Sequence, residues 1–430
     1  MNTTFVNLAP VRPKAVTRSL DAQRPDAQRP DARAPDARRP ARRTPAALSG
    51  IGMAACLWAI AAPASADEYR VGMSAAMTGP ASATYAPVAE AMRAYVGHLN
   101  GKGGINGRQI KLVVLDDGGE PSKAAANAKR LVAQDNVILM LNASLSSTYA
   151  PVIQESKRAN VPLWFAGAVC PKETYPPADA LQFCSTSFGG QYDSRMALDF
   201  VKQTAKEPIR LGFAAMAIPL SRGEIDFAEG QAKTMGMGTT DKEVIPPPTA
   251  DYTPFATKLK DAGSNWVYAW APWVTQIRTF EALRKLGWNG QYLAYAHTNA
   301  EDELLRVKDA DFYVFGANSF FQDNLPIHAE IRAVTYRSNL NYPITQLTEG
   351  FVAGLILEGI LKGAGWPATT EKVLAAMNNL KVDLKGLRGG PIEWTQANHF
   401  RARQYYRVYR WDPARQAVTR VQDWTAYEVK

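Results

Sequence analysis

The stretch VILMLNASLSSTYAPV, residues 137–152, joins an apolar run to a cluster of hydroxyl side chains and then to a helical pattern. The apolar run predicts a buried strand, and the residues from Tyr149 onward predict a helix. Ser144, Ser146, Ser147 and Thr148 fall at the junction. Hydroxyls at such a junction either cap the helix or bind a ligand at the end of the strand.

The order of strand and then helix recurs on both sides of this stretch. Helical patterns follow the apolar runs YRVGMSAAM, IKLVVLDD, IRLGFAAM and WVYAWAP. Strands that alternate with helices predict βαβ units and parallel sheets. Two series, near residues 69–188 and 208–320, therefore predict an α/β fold with two doubly wound lobes. Ligands of such sheets bind beyond the carboxyl ends of the strands, which is where the hydroxyl cluster lies.

The last hundred residues do not predict a third lobe. TQLTEGFVAGLILEGILKGAG and TTEKVLAAMNNL have helical patterns, and GGPIEWTQANHF with RQYYRVYRWDP predicts a closing β-hairpin. We expect these elements to be shared between the two lobes, so the chain has to cross between the lobes several times.

The positive charge is concentrated at the amino terminus. The chain has 430 residues and a formal charge of +9, and residues 1–66 hold ten Arg or Lys and four Asp, a surplus of +6. The repeat DAQRPDAQRPDARAPDARRP in this segment predicts disorder, because it has nothing to bury. The body is nearly balanced in charge, so we do not expect nucleic-acid binding.

Residues 1–66 are also predicted to contain an export signal. PAALSGIGMAACLWAIAAPASA is apolar and ends in small residues, which predicts signal-peptide cleavage after Ala66 and a periplasmic protein. A membrane anchor is the alternative, although Gly and Pro interrupt the run. The long basic leader leaves open a start codon farther downstream, and Cys56 leaves open lipidation.

Two cysteines remain after cleavage, Cys170 and Cys184. In an exported chain this pair predicts a disulfide that closes the loop CPKETYPPADALQFC, and two free thiols are the alternative.

Motifs for catalysis and metal binding are absent from the sequence. It contains no Walker loop, GxSxG or HExxH, and its four histidines are scattered without metal-ligand spacing. The glycines of NGKGGINGRQ follow a helix and precede a strand, the reverse of the order that a phosphate cradle needs. We therefore expect no catalytic residue, no metal and no cofactor, and a binding protein rather than an enzyme.

Several segments together resemble the periplasmic ABC-transporter binding proteins of the branched-chain amino acid (Leu/Ile/Val-binding) type. They are TGPASATYAPVAEAMRAYVGHLNGKGGINGRQIKLVVLDD, SSTYAPVIQESKRANVPLWFAGA, FCSTSF, LTEGFVAGLILEGILKGAG and GGPIEW with the later Asn-His. The resemblance implies two Rossmann-like lobes with parallel sheets joined by a three-crossover hinge, the type I periplasmic binding protein fold. We place lobe 1 at residues 67–188 with 322–388, and lobe 2 at residues 189–321 with 389–430.

The resemblance also implies a ligand site. In that family the hydroxyl cluster binds the ligand's α-carboxylate at a helix N-terminus, where free N–H groups and the helix dipole favour an anion. This implies contacts from Ser146 and Ser147, with Thr148 beside them, and backbone groups from Gly167 and Ala168. A helix-capping role for the same hydroxyls stays open.

The positions that bind the ammonium group differ from the family pattern. The family's glutamate falls on Ala296, with His297 beside it, and the Tyr-Gly of the next loop becomes Arg222-Gly223. An unpaired ammonium in a closed cleft is costly, which disfavours an ordinary amino acid. Aromatic and cationic side chains replace the lost groups; Tyr85, Arg222, Trp270, Trp273 and His297 are the candidate contacts.

These residues favour a carboxylated ligand with an aromatic or bulky apolar body. Core packing of the aromatic residues and a solvated loop position for Arg222 are the alternatives. The resemblance implies delivery of the ligand to an ABC permease in the inner membrane by a protein that we expect to be monomeric. A ligand-sensing subunit that docks to a receptor, an amino acid binder with a rearranged ammonium site, and an exported enzyme stay open.

Overall fold

The computed structural model describes residues 68–167 and 169–430. The predicted leader, Cys56, the cleavage point after Ala66 and the site candidate Ala168 lie outside the described residues.

The first sheet is formed by five parallel strands in the order β2-β1-β3-β4-β5. Their bounds are β1 Glu68–Ala75, β2 Gln109–Asp116, β3 Leu139–Ala143, β4 Leu163–Phe165 and β5 Gln182–Cys184. Strand β3 is buried along its whole length, as the apolar run of the opening stretch predicts.

The second sheet has seven strands, and its long carboxyl-terminal hairpin forms one edge. The strands are β6 Arg210–Met216, β7 Gly238–Ile245, β8 Trp266–Trp270, β9 Gln291–Tyr295 and β10 Phe312–Gly316, with β13 Arg403–Asp412 and β14 Ala417–Glu428. Their order is β14-β13-β10-β9-β8-β6-β7. Strands β6 to β10 are mutually parallel, while β13 and β14 are antiparallel.

Eleven α-helices are found in the described ranges. They are α1 Ser82–Gly101, α2 Pro121–Ala133, α3 Tyr149–Ala159, α4 Gln191–Thr204, α5 Pro219–Thr234, α6 Thr253–Asp261, α7 Trp273–Lys285, α8 Ala300–Val307, α9 Ile327–Arg337, α10 Thr348–Ala364 and α11 Thr370–Met377. Within the described chain, none of them is long and apolar enough to cross a membrane.

Each sheet has its own hydrophobic core, and the chain passes between the two sheets three times. The crossings come after β5, after β10 and before β13. Helix α10 returns to the first sheet, where Phe351 and Ile356 pack with Met73 of β1. Parallel sheets covered by helices form the predicted α/β fold of two lobes.

The lobe boundaries themselves stay a prediction. Ile392 and Trp394 pack in the hydrophobic core of the first sheet, although the range 389–430 is predicted as part of lobe 2.

The predicted closing hairpin was wrong in its pairing. Residues Ile392–Glu393 form β12, which pairs with β11 Lys381–Val382, whereas β13 pairs with β14. The turn between β13 and β14 is closed by Asp412, whose carboxylate accepts the backbone N–H groups of Ala414 and Arg415. Aspartate readily forms turns of this kind, and β14 then adds the outer strand.

Candidate functional site

A small cavity lies between the two lobes at the carboxyl ends of β3, β6, β8 and β9. It has a volume of about 10 Å³, close to the space that one water molecule needs. Its walls come from both lobes and from the first crossing, and are formed by Tyr85, Ser146, Val169, Phe188, Ile218, Leu220, Ser221, Trp270, Ala271, Pro272 and His297. The structure thus brings together four predicted site residues, Tyr85, Ser146, Trp270 and His297.

The lobes are in contact around this cavity. Asp302 of α8 accepts hydrogen bonds from Thr345 Oγ1 at 2.5 Å and from Gln346 Nε2 at 2.9 Å, which lie in the turn before α10. Leu220 of α5 packs against the core of the first sheet. The cleft is therefore closed, and a ligand larger than water has to enter while the lobes are apart.

Ser146 differs from the other hydroxyls of its cluster. It lies in the 3₁₀ turn Ser146–Thr148 that leads into α3, and its Oγ is buried without a hydrogen-bond partner. A buried hydroxyl without a partner is costly unless a ligand or water satisfies it. Its place beside the amino end of α3 favours an anionic or hydrogen-bonding ligand group.

Two neighbours of Ser146 have structural partners instead. Ser144 Oγ donates to Asp117 Oδ1 at 2.6 Å, and Thr148 Oγ1 donates to the Leu145 carbonyl at 2.8 Å. Asp117 is fully buried and also accepts a hydrogen bond from Ser74 Oγ at 2.7 Å, so it joins strand β1 to the loop after β3. No side chain caps α3, so the capping interpretation of the cluster is not what the structure shows.

The remaining candidates of the first lobe lie beside the cavity rather than on its wall. Ser147 is partly buried in the same turn as Ser146. Gly167 is packed so closely that a Cβ atom would lie 2.8 Å from Val88 Cγ1, and its N–H faces the Asn142 carbonyl at 3.4 Å. Only a glycine fits this close approach without a shift of Val88.

The first crossing and the second lobe contribute aromatic rings to the cavity wall. The Phe188 ring is stacked on Tyr295 at 4.8 Å and meets the Trp270 ring edge to face at 5.8 Å. The His297 ring also meets Phe188 edge to face, at 4.8 Å. Phe188 was not predicted, although it ends the FCSTSF segment that carries part of the family resemblance.

His297 contributes a neutral ring to this wall. Its Nε2 lies 2.9 Å from the Ala271 carbonyl, so this nitrogen carries the proton and donates. Burial lowers the pKa of His297 to about 4. The side chain is therefore an uncharged hydrogen-bonding group at neutral pH.

Arg222 and Trp273 are not brought to the cavity. Helix α5 begins with Pro219, and Arg222 lies on its exposed side. Its neighbour Ser221 points inward instead, where its Oγ accepts Met216 N–H and donates to the Trp270 carbonyl. Trp273 is packed in the core of the second sheet, with its ring stacked on Phe312 at 6.3 Å.

The cavity contains no formal charge on any of its described lining residues. Burial, together with the charge of nearby Asp117, raises the pKa of the Tyr85 phenol, while the carboxylate of Asp193 lies behind Trp270 and accepts its indole N–H. Neither carboxylate lines the cavity. The described wall therefore offers a ligand ammonium no carboxylate, consistent with the substitution of Ala296 for the family's glutamate.

The predicted disulfide between Cys170 and Cys184 is confirmed. It ties the loop after β4, which contributes Val169 to the cavity, to strand β5. No group of three or more side chains suited to a metal ion occurs in the described parts of the chain.

Comparisons with known proteins agree with this architecture. The profile of the periplasmic binding protein family matches residues 68–417. A protein of Pseudomonas aeruginosa named amino acid binding protein is 24% identical over 319 residues, which are 73% of this chain and 82% of that protein.

Two solved structures have the same fold. A branched-chain amino acid ABC transporter protein of Thermus thermophilus with bound valine has a TM-score of 0.71 at 16% identity, covering 83% of this chain and 96% of that chain. A solute-binding protein of Rhodopseudomonas palustris in complex with 3,4-dihydroxybenzoic acid has a TM-score of 0.71 at 16% identity, covering 85% and 98%. With its two lobes, its three crossings and a family match that spans both sheets, the chain belongs to the periplasmic binding protein family.

Proposed function

We propose that this chain is the solute-binding subunit of an ABC transporter, and that it captures a small carboxylate with an aromatic or bulky apolar body. The observation that supports this best is an uncharged, largely apolar cavity that has aromatic rings on its wall and the unpartnered Ser146 hydroxyl at one side. Pockets of this kind take ligands with an apolar body and a few fixed polar contacts. Delivery to a permease of the inner membrane, a periplasmic location and a monomeric state belong to the same proposal.

The polar end of the ligand binds at the turn before α3. Ser146 Oγ donates to a ligand oxygen, and the amino end of α3 favours its negative charge. Ser147, Thr148 and Gly167 shape this end of the site. Tyr85 lies beside it, buried and with its phenol held neutral by a raised pKa.

The apolar body of the ligand packs against the second lobe. Trp270 and Phe188 supply flat surfaces, and His297 supplies one neutral hydrogen-bonding edge. Binding stabilises the closed arrangement because the ligand touches both lobes. Trp273 supports this wall from behind, whereas Arg222 has no part in it.

The solved relatives make both chemical classes worth testing. One carries valine and another carries a dihydroxybenzoic acid, each bound by that protein. An amino acid binder with a rearranged ammonium site is therefore the second candidate, favoured by the amino acid binding name of the Pseudomonas relative.

A thermal-shift screen of the chain from Asp67 to Lys430 tests the proposal. The compounds are aromatic acids, aliphatic acids, amino acids, amides and polyols. A hundredfold excess over Kd stabilises the native state by about 2.7 kcal/mol. Stabilisation by carboxylates without an amino group supports the proposal, and stabilisation by leucine or valine alone contradicts the ligand class.

Two variants sharpen this screen. Ser146→Ala is expected to weaken the stabilisation by the active carboxylates, because it removes a direct contact. Arg222→Ala is the matched control, since its side chain is exposed, and it is expected to behave as the wild type does.

A further inference from the structure

Asp193, on helix α4, lies directly behind the aromatic wall of the cavity. It is fully buried, and its carboxylate accepts hydrogen bonds from three different parts of the fold. The donors are Trp270 Nε1 at 2.9 Å, Gly189 N–H at 2.9 Å and the Tyr406 hydroxyl. One carboxylate therefore joins β8, the first crossing and β13.

Two of these donors belong to, or adjoin, residues that line the cavity. Trp270 lines it directly, and Gly189 follows Phe188, whose ring meets the Trp270 ring at 5.8 Å. The two carboxylate oxygens accept different hydrogen bonds. Oδ2 accepts the indole N–H of Trp270, and Oδ1 accepts the Gly189 N–H and the Tyr406 hydroxyl. One buried carboxylate thus bonds to the Trp270 ring and to the backbone next to Phe188.

Gly189 shows how tightly this arrangement is packed. A Cβ atom at that position would lie 2.3 Å from the Tyr406 hydroxyl oxygen and 2.9 Å from Asp193 Oδ1. A side chain there would displace the carboxylate or the phenol, because real Cβ atoms do not approach other atoms so closely.

We propose that Asp193 is a positioning residue for the ligand cavity, which fixes the rings of Trp270 and Phe188 through Trp270 Nε1 and Gly189 N–H. Nothing in the family resemblance assigns this role. The proposal rests on the proposed function only in taking the cavity as the ligand site.

The surroundings of Asp193 make its charge state part of this role. Burial raises the pKa of Asp193, and burial together with Asp193 raises the pKa of Glu224 on α5. The hydrogen bonds from Tyr406 and Trp270 and the charge of Arg401 favour the ionised form of Asp193. Tyr268, Tyr295 and Tyr175 also face it, and all three phenols are neutral because burial holds their pKa values high.

The test begins without any ligand, by near-UV circular dichroism of the chain from Asp67 to Lys430. The spectrum of the wild type minus that of Trp270→Phe defines the band of Trp270 in its aromatic surroundings. In Asp193→Asn this band is expected to be lost. The amide has one oxygen that accepts and a nitrogen that does not, so the hydrogen bonds to both carboxylate oxygens cannot all be kept. Far-UV dichroism checks that the fold is kept.

Glu224→Gln is the matched control. Glu224 is a second buried acid, whose carboxylate accepts hydrogen bonds from Ser194 and which does not itself line the cavity. This variant is expected to keep the Trp270 band. Loss of the band in both variants, or in neither, overturns the positioning role.

If Asp193→Asn does not accumulate as folded protein, protonation of Asp193 supplies the same change. Because the pKa of Glu224 is also raised, the titration uses Glu224→Gln, and the Trp270 band of this variant is followed from about pH 9 to about pH 5. Reversible loss of the band at the acidic end supports the proposal, and an unchanged band overturns it.

Binding of benzoate, followed by thermal shift, separates this proposal from the proposed function. If benzoate stabilises the wild type, Asp193→Asn is expected to weaken its affinity by about tenfold or more, the loss of one charged hydrogen bond, and Glu224→Gln by less than about twofold. Equal weakening in both variants overturns the positioning role. If benzoate does not stabilise the wild type, that result counts against the proposed ligand class, and the dichroism decides the role of Asp193.

Discussion

The hinge and the cavity lie close together, but they bury polar groups in opposite ways. At the hinge, Arg388 Nη2 donates to both oxygens of Glu349 at 2.9 and 3.0 Å, with side chains only 3% and 6% exposed. The cavity has no charge on its described wall, and the Ser146 hydroxyl in it has no partner.

The partners of the hinge pair show what it does. Arg388 lies before the third crossing; it donates to the Ser185 carbonyl in the first crossing and to Asn318 Oδ1 in the second. Glu349, at the start of α10, accepts Ser187 N–H at 3.0 Å. Buried charges with complete pairing hold the three crossings together, whereas the buried Ser146 hydroxyl without a partner is a candidate contact for a ligand.

The largest expected effect comes from breaking the hinge pair. Glu349→Gln leaves the buried Arg388 charge without its counter-ion, which costs about 3–5 kcal/mol of unfolding free energy. Urea unfolding followed by fluorescence measures the loss. Glu120→Gln breaks an ion pair with Lys123 that is exposed on both sides and is expected to change nothing measurable. A loss below about 1 kcal/mol in Glu349→Gln would show that the pair is not structural.

Two serine variants are expected to separate stability from ligand affinity. Ser144→Ala removes a hydrogen bond to the buried Asp117 carboxylate and is expected to cost about 2 kcal/mol of stability without changing ligand affinity. Ser146→Ala removes a hydroxyl without a partner, so stability is kept while affinity for the bound carboxylate falls about tenfold. Unfolding and calorimetric titration measure the two properties. A stability loss in Ser146→Ala with unchanged affinity would mean that the hydroxyl is structural.

The pH dependence of stability tests whether the cavity excludes charge. His297 has its pKa lowered from 6.5 to about 4, so it contributes stability that is complete above 6.5 and is lost as the pH falls towards 4. The unfolding free energy of the wild type, relative to His297→Gln, is expected to fall by about 1–2 kcal/mol between about pH 6.5 and about pH 5. A constant difference across this range would show that His297 is charged in the native state or not buried.

The smallest expected effect concerns the contact between the lobes. Asp302→Ala removes the hydrogen bonds to Thr345 and Gln346, and a partly exposed contact of this kind contributes less than about 1 kcal/mol to the closed form. Small-angle scattering of the protein without ligand is expected to give a larger radius of gyration. Glu303→Ala is the control, because Glu303 pairs with Arg306 within its own helix. Equal radii for both variants would argue against a role of Asp302 in closure.

Most of the fold could be predicted because its strands are buried. Apolar runs such as β3 and β8 stand out from the sequence, and the polar residues just behind them fall at one edge of a sheet. Ser146, Trp270 and His297 reach the cavity for this reason. Strand β14 was missed because it is an edge strand, with exposed and partly exposed residues along most of its length.

The parts of the site that could not be predicted depend on helix phase. A residue in a helix is rotated by about 100° from its neighbour, so an error of one position exchanges a buried side chain for an exposed one. This is the difference between Ser221, which lines the cavity, and Arg222, which is exposed. Asp193 carries no sequence signal, because its side-chain partners Trp270 and Tyr406 are distant along the chain.

The most direct test of the central claim compares ligands that differ only in the amino group. Calorimetric titration with phenylalanine and 3-phenylpropanoate, and with leucine and 4-methylpentanoate, isolates the contribution of the ammonium. A cavity without a carboxylate on its wall predicts that the acid without the amino group binds more tightly in each pair. Tighter binding of phenylalanine or leucine would contradict the account and require a carboxylate to reach the ligand.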